Sequence, residues 1–172
     1  MEIQENIINK VAQSGLVTLD PAEFYPAGER VVYDIKNNLF MELMLREKDF
    51  REFVKTHDWT QYEGKYVAVT CTADAIVPAW AYMLLANRLA PYAIEVVFGD
   101  AETLETVLFV KSINANLDPE KYRDQRLVIK GCGDIPVPVS AYVELTKKLT
   151  PVAKSLMFGE PCSTVPIYKR KD

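Results

Sequence analysis

Apolar residues recur along this chain at two different periods, and the change of period divides it. Over residues 2–13, Ile3, Ile7, Ile8 and Val11 share one helical face, with Gly15 as a natural stop. Leu16–Leu19 suits a short strand, and Pro21–Gly28 a loop. Val31–Ile35 alternates, Asn37-Asn38 suits a turn, and Leu39–Leu45 alternates again, which predicts a hairpin or a helix over the second run. Phe50, Phe53 and Val54 stand at helical spacing within Glu47–His57, and Trp59–Gly64 is rich in turn formers. From Tyr66 onward short apolar runs alternate with helical ones. Strands are predicted at Tyr66–Thr70, Ile94–Phe98, Leu127–Lys130 and Ser155–Phe158. Helices are predicted at Pro78–Leu89, Glu102–Ile113, Asp118–Arg123 and Val139–Leu149. Strands alternating with helices imply β-α-β units and a mostly parallel sheet.

The same unit is written twice. Shifted by sixty residues, eleven of the twenty-seven positions from Asp74 to Asp100 are identical to their counterparts in Asp134–Glu160; chance gives roughly two at average residue usage. Each copy reads strand, Cys, Asp, Val-Pro, helix, Leu-x-Pro-x-Ala, strand, Phe-Gly-acid, with Cys71 and Cys132 one position out of register. The expected fold is a single α/β domain over residues 1–172. Its mostly parallel, doubly wound-like sheet comes from two duplicated β-α-β units at 65–100 and 125–160. A helix, a hairpin and a second helix precede it in residues 1–64. With the four strands lettered A to D in chain order, the expected sheet order is B-A-C-D.

Composition adds boundaries. A 172-residue chain that is 49% apolar and 26% charged is long enough to bury a core and has the mix of a globular protein. A net charge of −4 argues against a nucleic-acid groove. Met1-Glu2 opens an acidic segment and no apolar run reaches bilayer length, so no leader and no membrane partner are expected. Three widely spaced cysteines do not form a disulfide framework, and a cytoplasmic protein with reduced thiols is the expectation.

Those cysteines carry the candidate chemistry. Cys71 ends strand A, Cys132 ends strand C, and Cys162 follows strand D, so the expected order places all three at the carboxyl edge of one sheet. The A–C junction is also where such sheets bind ligands. Thiolates suit zinc or an iron–sulfur cluster. The leading expectation is a metal site of Cys71, Cys132 and Cys162, with Asp74, Asp134, Asp100 or Glu160 as a fourth ligand or supporting partner. Packing as small hydrophobes is the structural alternative for each cysteine. A second reading is a thiol-dependent enzyme: Cys132 lies between Gly131 and Gly133, ahead of a helix N-terminus, but needs a base that only His57 or a carboxylate supplies. A third is an anion or nucleotide pocket, although Pro136 replaces the last glycine of the dinucleotide fingerprint. Val-Pro and Phe-Gly have backbone roles, Trp80, Tyr82 and Tyr142 suit the core, and His57 suits a helix C-terminus.

Several segments together resemble a known family: F-Y-P-A-G-E-R-V-V-Y-D-I-K, L-R-E-K-D-F-R-E-F-V, T-C-T-A-D-A-I-V-P-A-W-A-Y, K-G-C-G-D-I-P-V-P-V-S-A-Y-V-E-L and G-E-P-C-S-T-V-P-I-Y-K. The chain resembles a bacterial family catalogued as domain of unknown function 2480, over nearly its whole length. The resemblance implies no activity and defines no catalytic residues. It implies an association with iron–sulfur cluster assembly, and hence cluster handling with assembly proteins as partners.

Overall fold

The computed structural model describes residues 15–171, so the helix expected over 2–13 lies outside the described residues. Seven strands are described: β1 Leu16–Leu19, β2 Arg30–Asp34, β3 Tyr66–Thr70, β4 Glu95–Phe98, β5 Arg126–Ile129, β6 Ser155–Glu160 and β7 Ser163–Lys169. Four α-helices accompany them: α1 Glu47–Thr56, α2 Ala79–Leu89, α3 Ala101–Asn116 and α4 Val139–Leu149. The chain divides into two compact units. One is contiguous, residues 26–108; the described part of the other is split, residues 15–25 and 109–171.

The contiguous unit holds a three-stranded sheet in the order β2-β3-β4, parallel throughout. Strand side chains alternate faces, so Val67 and Val69 of β3 pack with Leu85 and Leu89 of α2 and Phe50 and Val54 of α1. Ala68 and Val97 face the other way, against Leu104 and Leu108 of α3. Cover on both faces is what a parallel sheet requires. The split unit holds a four-stranded sheet in the order β1-β5-β6-β7, with β7 antiparallel to β6. Its core joins Leu19 of β1, Leu127 and Ile129 of β5, Leu156 of β6 and Leu145 and Leu149 of α4.

Local signals explain the entries into these elements. Asp20, Asp34, Asp58 and Asp118 each accept a hydrogen bond from the backbone N–H two residues on, starting a short 3₁₀ turn. Pro78 and Pro138 stand at the N-caps of α2 and α4. Glu47 and Asp49 in the first turn of α1, with Lys55 in its last, complement the helix dipole.

Three expectations are corrected. The strands lettered A to D (β3, β4, β5 and β6) do not form one B-A-C-D sheet. Each pair within a repeat is adjacent, but β3 lies between β2 and β4, and β5 between β1 and β6. Both edges of β3 and of β5 are therefore taken, so the A–C junction is absent. The hairpin is also absent. Val31–Asp34 pairs in parallel with β3, and the Asp34 side chain turns the chain into a 3₁₀ turn at Ile35–Asn38. The tight reversal falls instead at Met41-Glu42, both with positive φ, under a bridge between Phe40 and Met44. Finally, the strand predicted at Ser155–Phe158 runs on to Glu160 and is not the last, because β7 returns along it.

Candidate functional site

The loop after β5 opens the candidate site. β5 ends at Ile129, and Lys130 follows, its N–H donating to Leu19 O of neighbouring β1 at 2.9 Å. Gly131-Cys132-Gly133 then leads toward Pro138 and α4. Asp20, immediately after β1, stands beside this loop. Its carboxylate accepts from Ala22 N at 2.9 Å and from Lys130 Nζ at 3.0 Å. A cavity of about 300 Å3 lies here, lined by Asp20, Lys130, Gly131, Cys132, Gly133 and Tyr142, with Ile135 and Val137 among its apolar walls. The Cys132 thiol is free and exposed.

The electrostatics of the cavity are coupled. The Ala22 N–H holds the Asp20 carboxyl below its ordinary range; burial opposes this and the bond from Lys130 reinforces it. Lys130 is raised above the ordinary lysine value, first by its bond to Asp20, with the negative charges of Glu160 and Asp134 adding. Burial raises the Tyr142 phenol, helped by Asp20 and Cys132. Each side of the ion pair is about one-third exposed, and solvent screens such a pair strongly. The pair therefore matters more for fixing an ammonium in the cavity than for stability.

One backbone feature shapes the wall. A Cβ on Gly131 would meet Phe158 Cζ of β6 at 2.5 Å, so the ring lies against bare backbone. Phe158 meets Tyr142 edge-on, with centroids 5.6 Å apart.

The contiguous unit carries the same places with different residues. Asp34 ends β2 as Asp20 follows β1, but its carboxylate is held by Thr72, through both N–H and hydroxyl, and by Lys36 N. Burial pushes the Asp34 carboxyl up, and the bonds from Thr72 and Lys36 outweigh it. Thr72 corresponds to Cys132, Thr70 to Lys130 and Cys71 to Gly131. Cys71 is half-buried, its thiol directed at Ala73 O at 3.6 Å.

The residues singled out from the sequence are divided between the two units. Cys132, Asp134 and Glu160 gather on the split unit, the two carboxylates acting on Lys130. Cys162, free and exposed, stands in the β6–β7 turn of that unit. Cys71, Asp74 and Asp100 belong to the contiguous unit. Asp100 caps α3, accepting from Thr103 N at 2.8 Å and Thr103 Oγ1 at 2.7 Å. Among the described residues, no group of three or more His, Cys, Asp or Glu side chains is close enough to hold a metal ion. His57 caps α1 and packs among Phe53, Trp59 and Tyr62. Sequence reading missed Asp20 and Lys130, whose meeting depends on β1 lying beside β5. It took Tyr142 for core, whereas its partly buried ring also lines the cavity. Among the described residues, no helix is long and apolar enough to cross a membrane.

No curated protein and no solved structure matches the chain. The family described as Protein of unknown function (DUF2480) matches residues 5–170, nearly the whole length, and the chain belongs to that family.

Proposed function

We propose that the cavity beside Cys132 is a small-molecule site in which this thiol is the reacting group. The observation that carries the reading is the company Cys132 keeps. An exposed thiol flanked by two glycines shares a cavity with an ammonium fixed by Asp20. Thiolates, not thiols, are nucleophiles, and the flanking glycines leave the sulfur open to a substrate. Lys130 also gives the cavity a positive group to meet a polarised oxygen of the substrate. The two β-α-β segments are read as copies of one ancestral unit, and the thiol cavity belongs to the copy in the split unit.

The experiment is alkylation of the native chain by iodoacetamide with each cysteine followed by peptide mapping. Lys130→Met is expected to slow Cys132 at least fivefold and leave Cys162 unchanged. Equal slowing of both, or none at Cys132, contradicts the reading.

A zinc or iron–sulfur reading draws on a different observation. Cys132 and Cys162 are both exposed and follow neighbouring strands β5 and β6, with Asp134 and Glu160 as oxygen donors nearby. Iron–sulfur assembly proteins would then be partners. Elemental analysis of anaerobically purified protein tests it: near-stoichiometric metal, lost in Cys132→Ser/Cys162→Ser, favours this reading over the first.

A further inference from the structure

A second cavity, of about 420 Å3, opens beside the first and differs from it in chemistry. Ile129, Val137, Val139, Phe158 and Ile167 make its walls, with Tyr142 and Thr146 as the polar side chains. The two cavities share Gly131, Val137 and Tyr142. The first cavity thus holds Asp20, Lys130 and Cys132, and the second is a groove of aliphatic and aromatic side chains. Gly131 lies at the junction, where its missing side chain lets the Phe158 ring form the groove wall. Each volume falls in the range of small-molecule sites, about 300–1,000 Å3.

We propose that the two cavities form one bipartite site for an acyl thioester, its carbonyl beside Cys132 and Lys130 and its unbranched apolar tail in the groove. The inference rests on the thiol reading above and names its substrate. A polar cavity and an apolar groove that share three lining residues argue for a molecule with one polar end and one apolar end. The thiol narrows the polar end. A carboxylate is not electrophilic toward sulfur. An aldehyde gives a hemithioacetal, which goes forward only with an oxidant. A thioester needs no further reactant. The Cys132 thiolate attacks the carbonyl carbon, a new C–S bond forms, and the C–S bond to the donor breaks. The proton that Cys132 gives to solvent is matched by the one the departing thiolate takes up. Nothing is oxidised or reduced.

The test uses the full chain with the decanoyl and acetyl thioesters of N-acetylcysteamine, read as acylation of Cys132 by intact mass and peptide mapping. Each buried methylene is worth roughly fourfold in transfer from water. Relative to their rates with free cysteine, the decanoyl thioester is expected to react at least tenfold faster than the acetyl one. Val139→Asp, at a position 77% exposed, is expected to lower the decanoyl rate at least tenfold more than the acetyl rate. Met83→Asp, on α2 of the contiguous unit, is expected to keep the native ratio. Equal rates for the two thioesters overturn the groove assignment while leaving Cys132 as a reacting thiol. Rapid alkylation of Cys132 without acylation overturns the substrate class alone. A Cys132 inert to both reagents overturns this inference and the reading beneath it.

Discussion

After β5 the split unit reads Gly131-Cys132-Gly133, and after β3 the contiguous unit reads Cys71-Thr72-Ala73. Both loops lead from a parallel strand to an eleven-residue helix. Both pass an aspartate at the end of the neighbouring strand. They differ in what that aspartate holds. Asp34 binds Thr72 of the loop itself, whereas Asp20 binds Lys130 at the end of the strand. The same framework thus ties one loop down and builds a charged cavity beside the other. The difference begins with four successive positions: Thr70 against Lys130, Cys71 against Gly131, Thr72 against Cys132 and Ala73 against Gly133. The groove differs too. Phe98 is 70% exposed and Phe158 only 38%. β7 continues beside β6 and brings Ile167 to the groove, whereas the chain after β4 turns directly into α3.

The strongest check on the shared framework is truncation of Leu85 and Leu145. They hold equivalent places, both fully buried. Each change to Ala is expected to cost about 2–5 kcal/mol, measured by urea unfolding, because a cavity is left behind. A large cost at one and none at the other would break the equivalence. Gly131→Cys places the contiguous unit's residue in the split unit. The added Cβ meets Phe158 and the ring must move, at a cost of about 1–3 kcal/mol, while Cys71→Gly leaves that wall untouched. Crystal structures of both variants check the displacement.

Smaller effects sharpen the comparison of loops. Cys132→Thr gives Asp20 the hydroxyl that Asp34 already receives. The expected gain is about 1 kcal/mol, with slower amide exchange across 131–137. Unchanged exchange would contradict the account. Acid response is the finest test. The folded-state carboxyls of Asp20 and Asp34 lie below their ordinary value. Their contribution is thus full above about pH 4 and is lost as pH falls through the lower folded-state values. Asp34→Asn and Asp20→Asn are each expected to lose less stability than the native chain between pH 5 and pH 2, about these limits. Acid unfolding followed by circular dichroism checks the sign.

The repeat units were legible in the sequence because their signals are local. Helix spacing in α2 and α4, β-branched runs in β3 and β5, and prolines at the helix starts each act within a few residues. Sheet order was not, because β1 reaches β5 across more than a hundred residues and no local pattern records that pairing. β7 was hidden by Pro166, which strands tolerate chiefly at an edge, as here. The reversal at Met41-Glu42 was hidden because neither residue favours positive φ. In the site, Cys132 was legible from its glycine neighbours. Asp20 and Lys130 became visible only once β1 was known to flank β5, the same pairing that leaves no place for the expected A–C junction.

The central claim is that only one of the two loops presents a working thiol. The most direct measurement is the alkylation rate of Cys132 against Cys71 in the native chain near neutral pH. The account predicts that Cys132 reacts at least tenfold faster, and that the ratio approaches one when the chain is unfolded in urea. A native ratio near one, or a Cys71 that reacts first, would contradict it.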